Sequence, residues 1–365
     1  MKEHLKILFL PINIASMQAI TAEALNNIDG VEAKSLVTSI HKYQSVNDTI
    51  IVLPERYISR KKPLKRLSAE WFFAKELKKW MEWADVLHYV WGSAYPNAKD
   101  LKWAKKMGKP VFIEWLGSDI RDPEFLFPVN PYYKQAFYNG YECREMESRD
   151  HKKIVQEHFY KVNAIPTLCP EMSLFLNKQL FPQHIQLMQR INLKEFSPEF
   201  PSTENVKPLI VHSPSAKITK GSNFIISVIE ELKKDYDFEF VLLHDMSREE
   251  VLKIIKKADI FLDQLIVGGY GMATMEGMAF GKPVMCYLLP EVFEAGLPRE
   301  CPIVNTNPDN LRDQLIKLIT NPQLLNDTGR QSRAYVEKYH DAEKIAKQLL
   351  NIYSEALEAK KINNA

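Results

Sequence analysis

The 365-residue chain has no run of 18 consecutive apolar residues, so no membrane-spanning helix is expected. Its four cysteines, Cys143, Cys169, Cys286 and Cys301, lie far apart with no C-x-x-C pair. That spacing excludes a zinc-ribbon or dithiol reading and predicts reduced core thiols, as in a cytoplasmic protein. Lys and Arg total 48 against 46 Asp and Glu, and a net charge of +2 argues against a general nucleic-acid binder. H-E-x-x-H, G-x-S-x-G and a Walker loop are missing. Gly269-Tyr270-Gly271 begins a G-x-G-x-x-G that Thr274 breaks, which disfavours a nicotinamide dehydrogenase. Asp235-Tyr236-Asp237 imitates a D-x-D metal motif, but it falls between a helix and the start of a strand, where a turn is expected. No metal site is expected.

The chain does have enough length for two cores, with 45% hydrophobic and 26% charged residues, as in ordinary globular proteins. Two lysines precede an apolar run at the N-terminus, but Pro11 and Asn13 interrupt it and no cleavage site follows. Leu5–Leu10 therefore reads as a first buried strand rather than a signal peptide.

Strand-like and helix-like segments alternate throughout, which predicts an α/β fold of parallel sheets covered by helices on both faces. First-half strands are expected at Leu5–Leu10, Glu32–Val37, Thr49–Leu53, Val86–Val90, Val111–Glu114, Ile165–Cys169 and Ile185–Gln189. Helices are expected at Met17–Asn27, Ser68–Trp83, Asn97–Met107, Glu171–Gln179 and, as one long element, around Tyr141–Phe159. The proline-rich stretch up to Pro208 reads as a linker. The second half repeats the pattern, with strands at Leu209–His212, Phe238–Leu243, Asp259–Leu262, Val284–Leu288 and Ile303–Asn305. The expected division is a first Rossmann-like domain over 1–196, a linker over 197–208, a second Rossmann-like domain over 209–340 and a terminal helix over 341–365. Two doubly wound domains leave a cleft where their C-terminal strand ends meet, and ligands of open α/β sheets bind there.

The most informative stretch lies in the second half. Asp259–Leu262 reads as a buried strand, Gly268-Gly269-Tyr270-Gly271 as a turn, and Met272–Phe280 as a helix stopped by Gly281 with Pro283 beyond. A glycine turn running into a helix N-terminus gathers unpaired N–H groups and the positive end of the helix dipole at one spot. Glu276 sits one turn inside that helix, placed to accept hydrogen bonds from a diol. A phosphate at the helix end with a ribose beside it describes a bound nucleotide.

Residues Gly269 to Val284, GYGMATMEGMAFGKPV, resemble the C-terminal signature of the family 4 glycosyltransferases, retaining enzymes of the GT-B fold. The resemblance implies two Rossmann-like domains facing across a cleft and a last helix that packs back on the first domain. It also implies a nucleotide diphosphate sugar donor, UDP- or GDP-linked, with Glu276 on the ribose hydroxyls. Eight residues before Glu276 the family has a second acidic residue that contacts the sugar; this chain has Gly268. After the Leu209–His212 strand comes a loop with Ser213, Lys217 and Lys220-Gly221, where relatives clamp the donor diphosphate with a basic pair. The usual arginine is replaced by Ser215, which leaves Lys217 as its substitute. Two ammonium groups and the Gly271–Met272 helix terminus would stabilise the departing diphosphate most in the transition state. Either lysine is alternatively a solvated loop residue.

His212 and His244 fall at strand ends, where either a structural role or a ligand role is open, and Asp245 either caps the next helix or lines the base pocket. In the first half, Leu116-Gly117-Ser118-Asp119-Ile120-Arg121 resembles a donor-facing loop whose usual histidine is here Leu116. Asp119 and Arg121 are candidates for the cleft, or else a mutual salt bridge that shapes the loop. Basic Arg56–Arg66 beside Trp71, Phe72, Phe73, Trp80 and Trp83 suggests peripheral membrane contact through 56–83, on the inner membrane face, or a solvated loop and core aromatics. The expected activity is thus transfer of a sugar, with retention and without a metal, to a glycan or lipid-linked acceptor. The rival reading, drawn from Leu116 and Gly268, is a nucleotide-sugar-binding scaffold that has lost turnover.

Overall fold

In the computed structural model, residues 4–40, 47–56 and 63–364 are described. Seven parallel strands form the first sheet: β1 (Leu5–Pro11), β2 (Val31–Val37), β3 (Ile50–Val52), β4 (Val86–Val90), β5 (Val111–Glu114), β6 (Ile165–Leu168) and β7 (Ile185–Gln186). Their order is β3-β2-β1-β4-β5-β6-β7. Five more form the second: β8 (Leu209–His212), β9 (Glu239–Leu242), β10 (Ile260–Leu262), β11 (Val284–Cys286) and β12 (Val304–Asn305), in the order β12-β11-β10-β8-β9. Each expected strand is present. The apolar runs of the central strands β1, β4, β5, β10 and β11 are buried on both faces, as parallel strands under helices require.

In both sheets the winding direction reverses beside the first strand, between β1 and β4 in one and between β8 and β10 in the other. Loops leaving the carboxyl ends of the strands diverge there and open a crevice. The loops after β8 and β10 therefore frame a binding position in the second domain.

The terminal helix, Ala342–Asn364, buries Ile345, Ala346, Leu349 and Tyr353 with Ile7, Phe9, Val86 and Phe112 of the first sheet. Tyr353 is fixed by a 2.6 Å hydrogen bond to His88 Nδ1. The return of this helix to the first domain is as expected. Where the chain crosses between the sheets, Ile191 N–H donates to His340 O (2.9 Å) and Ala342 N–H donates to Ile191 O (3.1 Å).

The helices depart from expectation in one region. The single long helix expected around Tyr141–Phe159 is confined to Arg149–Tyr160. Two short helices, Pro123–Val129 and Pro131–Tyr138, occupy the aromatic-rich segment before it. Prolines at their first turns and the Asp122 and Asn130 side chains, which accept from Glu124 N and Tyr133 N, start both. The helix expected at Glu171–Gln179 is a single turn, Pro170–Ser173.

The first domain holds sealed ionic groups. Glu114, at the end of β5, is bound by both Nη atoms of Arg190, and Arg190 Nε donates to Thr21 Oγ1 at 2.6 Å. Burial alone would raise the Glu114 pKa, but Arg190 and His88 outweigh it and hold the carboxyl down at about 2.

Candidate functional site

The loop after β8 runs through Ser213 into one helical turn, Lys217–Lys220, closed by Gly221. The loop after β10 runs from Asp263 to Gly271 and delivers the chain into the Met272–Ala279 helix. Leu265 N–H donates to Lys220 O (3.2 Å), so the two loops lie side by side at the crevice. Lys220 Nζ pairs with Asp263 Oδ1, and Thr274 Oγ1 donates to Asp263 Oδ2 at 2.5 Å. The Lys220 side chain keeps 13% of its surface exposed at this pair. Lys217 is exposed and borders a cavity of about 270 Å³ between the domains, opposite Tyr132 and Ala136.

The glycine turn has two separate steric causes. Gly268 has φ +86°, and a Cβ there would lie 2.5 Å from Leu289 Cγ and 3.3 Å from Asn130 Nδ2. No acidic side chain fits at that position, which explains the departure from the family pattern. At Gly269 a Cβ would collide with the Glu171 carboxyl of the first domain. Gly271, by contrast, faces open space, and Met272 and Ala273 are only partly buried, so the helix N-terminus opens outward.

Tyr270 contributes backbone to the turn, but its ring points inward and is buried. Its hydroxyl lies 3.0 Å from His340 Nε2, and His340 Nδ1 is 2.6 Å from Gln189 O beside the interdomain crossing. Burial holds His340 down at about 4, so the ring is neutral and its Nδ1–H donates to Gln189.

Glu276 is buried on the Met272–Ala279 helix and is paired there with an arginine. Arg248 Nε and Nη2 both donate to Glu276 Oε1, at 3.0 and 2.7 Å. Arg248 Nη1 also stands 3.8 Å from Glu195 Oε2 on the crossing segment. Burial raises the Glu276 pKa and Arg248 opposes the rise. Arg248 and Asp263 are the partners that sequence reading missed. Arg248 looked like an ordinary first-turn residue of an amphipathic helix, and its partner is 28 positions away.

Several candidates require correction. His212 is fully buried with both ring nitrogens engaged, Nδ1 with Leu262 O and Nε2 with Ser222 Oγ, each at 2.9 Å. Burial holds it at about 4, so it is a neutral core histidine and not a ligand-binding group. His244 and Asp245 pair with each other at 2.9 Å in an exposed loop. Asp245 does not cap the next helix, because Ser247 and Glu250 form a capping box there. Asp119 and Arg121 make no mutual salt bridge. Asp119 accepts from the N–H groups of Leu116 and Gly117 and shapes its own turn, with burial raising it to about 6. Arg121 is buried between Glu147 (2.9 Å) and Glu171 (3.2 Å) and is a structural residue.

The short-helix segment of the first domain closes on these loops. Asn130 Nδ2 donates to Ile266 O (2.8 Å), and Tyr132 donates to Asp309 (2.5 Å). Glu142 accepts from the Ile218 and Thr219 N–H groups at 2.8 and 3.0 Å. A further cavity of about 770 Å³ lies at the carboxyl ends of the first-sheet strands, lined by Ile12, Phe73, Trp91, Tyr95, His151 and His158 among others. Among the described residues, no three His, Cys, Asp or Glu side chains gather as a metal site. No helix among them is long and apolar enough to cross a membrane.

Comparison with known proteins gives these elements a context. Residues 239–335 match the model of the glycosyl transferases group 1 family, a segment that contains Arg248, Asp263, the glycine turn and Glu276. An uncharacterized glycosyltransferase of Methanocaldococcus jannaschii is 25% identical over 150 residues, which is 33% of this chain and 40% of that protein. Sucrose-phosphate synthase from Thermosynechococcus elongatus superposes over 98% of this chain and 100% of its own, with TM-score 0.62 and 14% identity. Anabaena HepE in complex with UDP-glucose superposes over 96% of this chain and 100% of its own, with TM-score 0.61 and 13% identity. The chain has the GT-B fold of glycosyltransferases, and its second domain carries the glycosyl transferases group 1 segment.

Proposed function

We propose that the protein is a glycosyltransferase that takes a sugar from a nucleoside diphosphate sugar. The observation that carries this reading is the pair of loops after β8 and β10, which set Lys220, the open Met272 helix terminus and Glu276 around one crevice. The matched family segment covers the second of these loops, and HepE, of the same fold, is described with UDP-glucose bound. The donor is thus a UDP- or GDP-sugar, with its diphosphate against Gly271–Met272 and Lys220 and its ribose against Glu276. Lys217 meets the outer phosphate.

The reaction is retaining and metal-independent. The acceptor hydroxyl attacks from the side the diphosphate leaves. The anomeric C–O bond to phosphate breaks, the new C–O bond forms, and the hydroxyl proton passes to a phosphate oxygen. Lys220 and the helix terminus gain most as that charge develops. No protein nucleophile is needed, which is compatible with Gly268. Incubation with UDP- and GDP-sugars in EDTA, with NMR of the product's anomeric proton, tests the reading. Inversion, or an absolute metal requirement, refutes the mechanism.

The acceptor is a glycan or lipid-linked sugar reached at a membrane surface, which accords with a cytoplasmic, peripheral enzyme of polysaccharide assembly. Leu67, Trp71 and Phe72 of the Pro63–Trp83 helix are 66%, 57% and 53% exposed beside Lys75, whose ammonium lies 5.0 Å from the Trp71 ring. The Tyr57–Lys62 part of the basic run lies outside the described residues. Sedimentation with anionic vesicles, lost in Trp71→Ala/Phe72→Ala, tests the surface. The scaffold reading is favoured by Leu116, by the closed Gly268 position and by Glu142 on the 218–219 N–H groups. Tight UDP binding without consumption of any donor would establish it.

A further inference from the structure

A carboxylate that accepts from a diol must be ionised and must present at least one oxygen. Burial works against the first condition for Glu276. It is buried, and Asp263 beyond β10 and Glu195 on the crossing segment add negative charge around it. Burial and like charge both favour its neutral form, and a protonated carboxyl loses half of its acceptor capacity.

Arg248 supplies what is missing. It is the first residue of the Arg248–Lys257 helix, whose capping box at Ser247 and Glu250 fixes where that helix starts. The Nε and Nη2 bonds of Arg248 to Glu276 both end on Oε1, and among the described residues no hydrogen bond ends on Oε2. The planar fork therefore holds one oxygen and leaves the other to a ligand. The same guanidinium stands between Glu276 and Glu195, so the two carboxylates do not face each other uncompensated.

We propose that Arg248 is the positioning residue of the donor site: it keeps Glu276 charged and in one orientation, with Oε2 presented to the ribose diol of a nucleoside diphosphate. The inference rests on the donor site proposed above. Its consequence is specific. With Arg248 in place, ribose binding is insensitive to pH around neutrality. Without it, Glu276 holds its proton to higher pH than in wild type, and binding recovers as the pH rises. The groups that set this titration are Arg248, Asp263 and Glu195, together with Lys220 through Asp263.

The test is calorimetric titration of UDP, and of GDP in parallel, into wild type, Arg248→Met, Arg248→Lys and Glu276→Gln at pH 6, 7, 8 and 9. Melting temperatures confirm that each variant is folded, and Arg248→Lys covers failure of the methionine variant. Wild-type affinity should be flat. Arg248→Met should lose about 10- to 100-fold at pH 7, the worth of one or two charge-assisted hydrogen bonds, and regain most of it by pH 9. Arg248→Lys should lie between, and Glu276→Gln should be weak at every pH. A loss in Arg248→Met that is equal at all pH values, or no loss, overturns the inference. If wild type binds neither nucleotide, or Glu276→Gln binds as wild type does, the donor site itself is wrong, which is a distinguishable result.

Discussion

Two arginines, one in each domain, embrace buried carboxylates, and they teach different things. Arg190 is fully buried, satisfies Glu114 with both Nη atoms and spends its Nε on Thr21. Nothing remains for a ligand, and the group joins the first sheet, the first helix and the crossing segment. Arg248 keeps 27% of its side chain exposed, binds a single oxygen of Glu276 and sits at the rim of a crevice. The same chemistry closes every acceptor of one pair and leaves an oxygen open in the other. The discriminating feature is how many acceptor positions the pair leaves open.

Removing one partner of a sealed pair leaves a buried charge, so Glu114→Ala should have the largest effect on stability. We expect a loss of about 3–5 kcal/mol by urea unfolding. A loss below 1 kcal/mol would erase the contrast between the two domains. At the crevice, Lys220→Ala should reduce donor turnover by about 100-fold or more. Wild-type turnover would remove Lys220 from the site. Gly268→Ala sharpens the comparison from the steric side. Positive φ costs about 1–2 kcal/mol for an L-residue, and the clash with Leu289 adds to it. Restoring the family's acid at this position should therefore lower stability, and a neutral Gly268→Glu would show that the loop can yield.

The smallest effect is a dependence on pH. His212 and His340 are held at about 4, below the ordinary 6.5, so the unfolded chain binds their protons first as pH falls. Their contribution is complete above 6.5 and is lost between 6.5 and 4. Glu114 adds its own loss only below 4.5, as pH falls towards about 2. The melting temperature should decline from pH 6.5 downward, and a flat profile to pH 4 would mean that these rings are not sealed. His340→Gln should shallow the decline.

The central strands were legible because a parallel strand buried on both faces is a short apolar run between turn residues, as β1, β4, β5, β10 and β11 show. The Gly281 stop is an equally local signal, whereas the capping box at Ser247 was passed over in favour of Asp245. The two helices of 123–138 were not read from the sequence, because prolines cut the segment into pieces of seven and eight residues, too short for a periodic pattern. Lys220, Glu276 and the glycine turn stood out in the sequence through the family resemblance and the strand–turn–helix pattern, but their partners did not. Asp263 is 43 positions from Lys220 and Arg248 is 28 from Glu276, and such pairings are set by how strands order in the sheet. His212 carried a misleading signal: a strand end is where ligands bind, yet Ser222 and Leu262 were already waiting for its ring.

The inward-pointing Tyr270 has a mechanical consequence. It is anchored to His340, and His340 to Gln189, at the seam where the polypeptide passes from one half of the molecule to the other. Any pivoting of the halves about that seam pulls on the phenol and so on the peptide groups flanking it. Any opening of the two halves and the shape of the glycine turn are thereby geared together through two side chains and one backbone carbonyl.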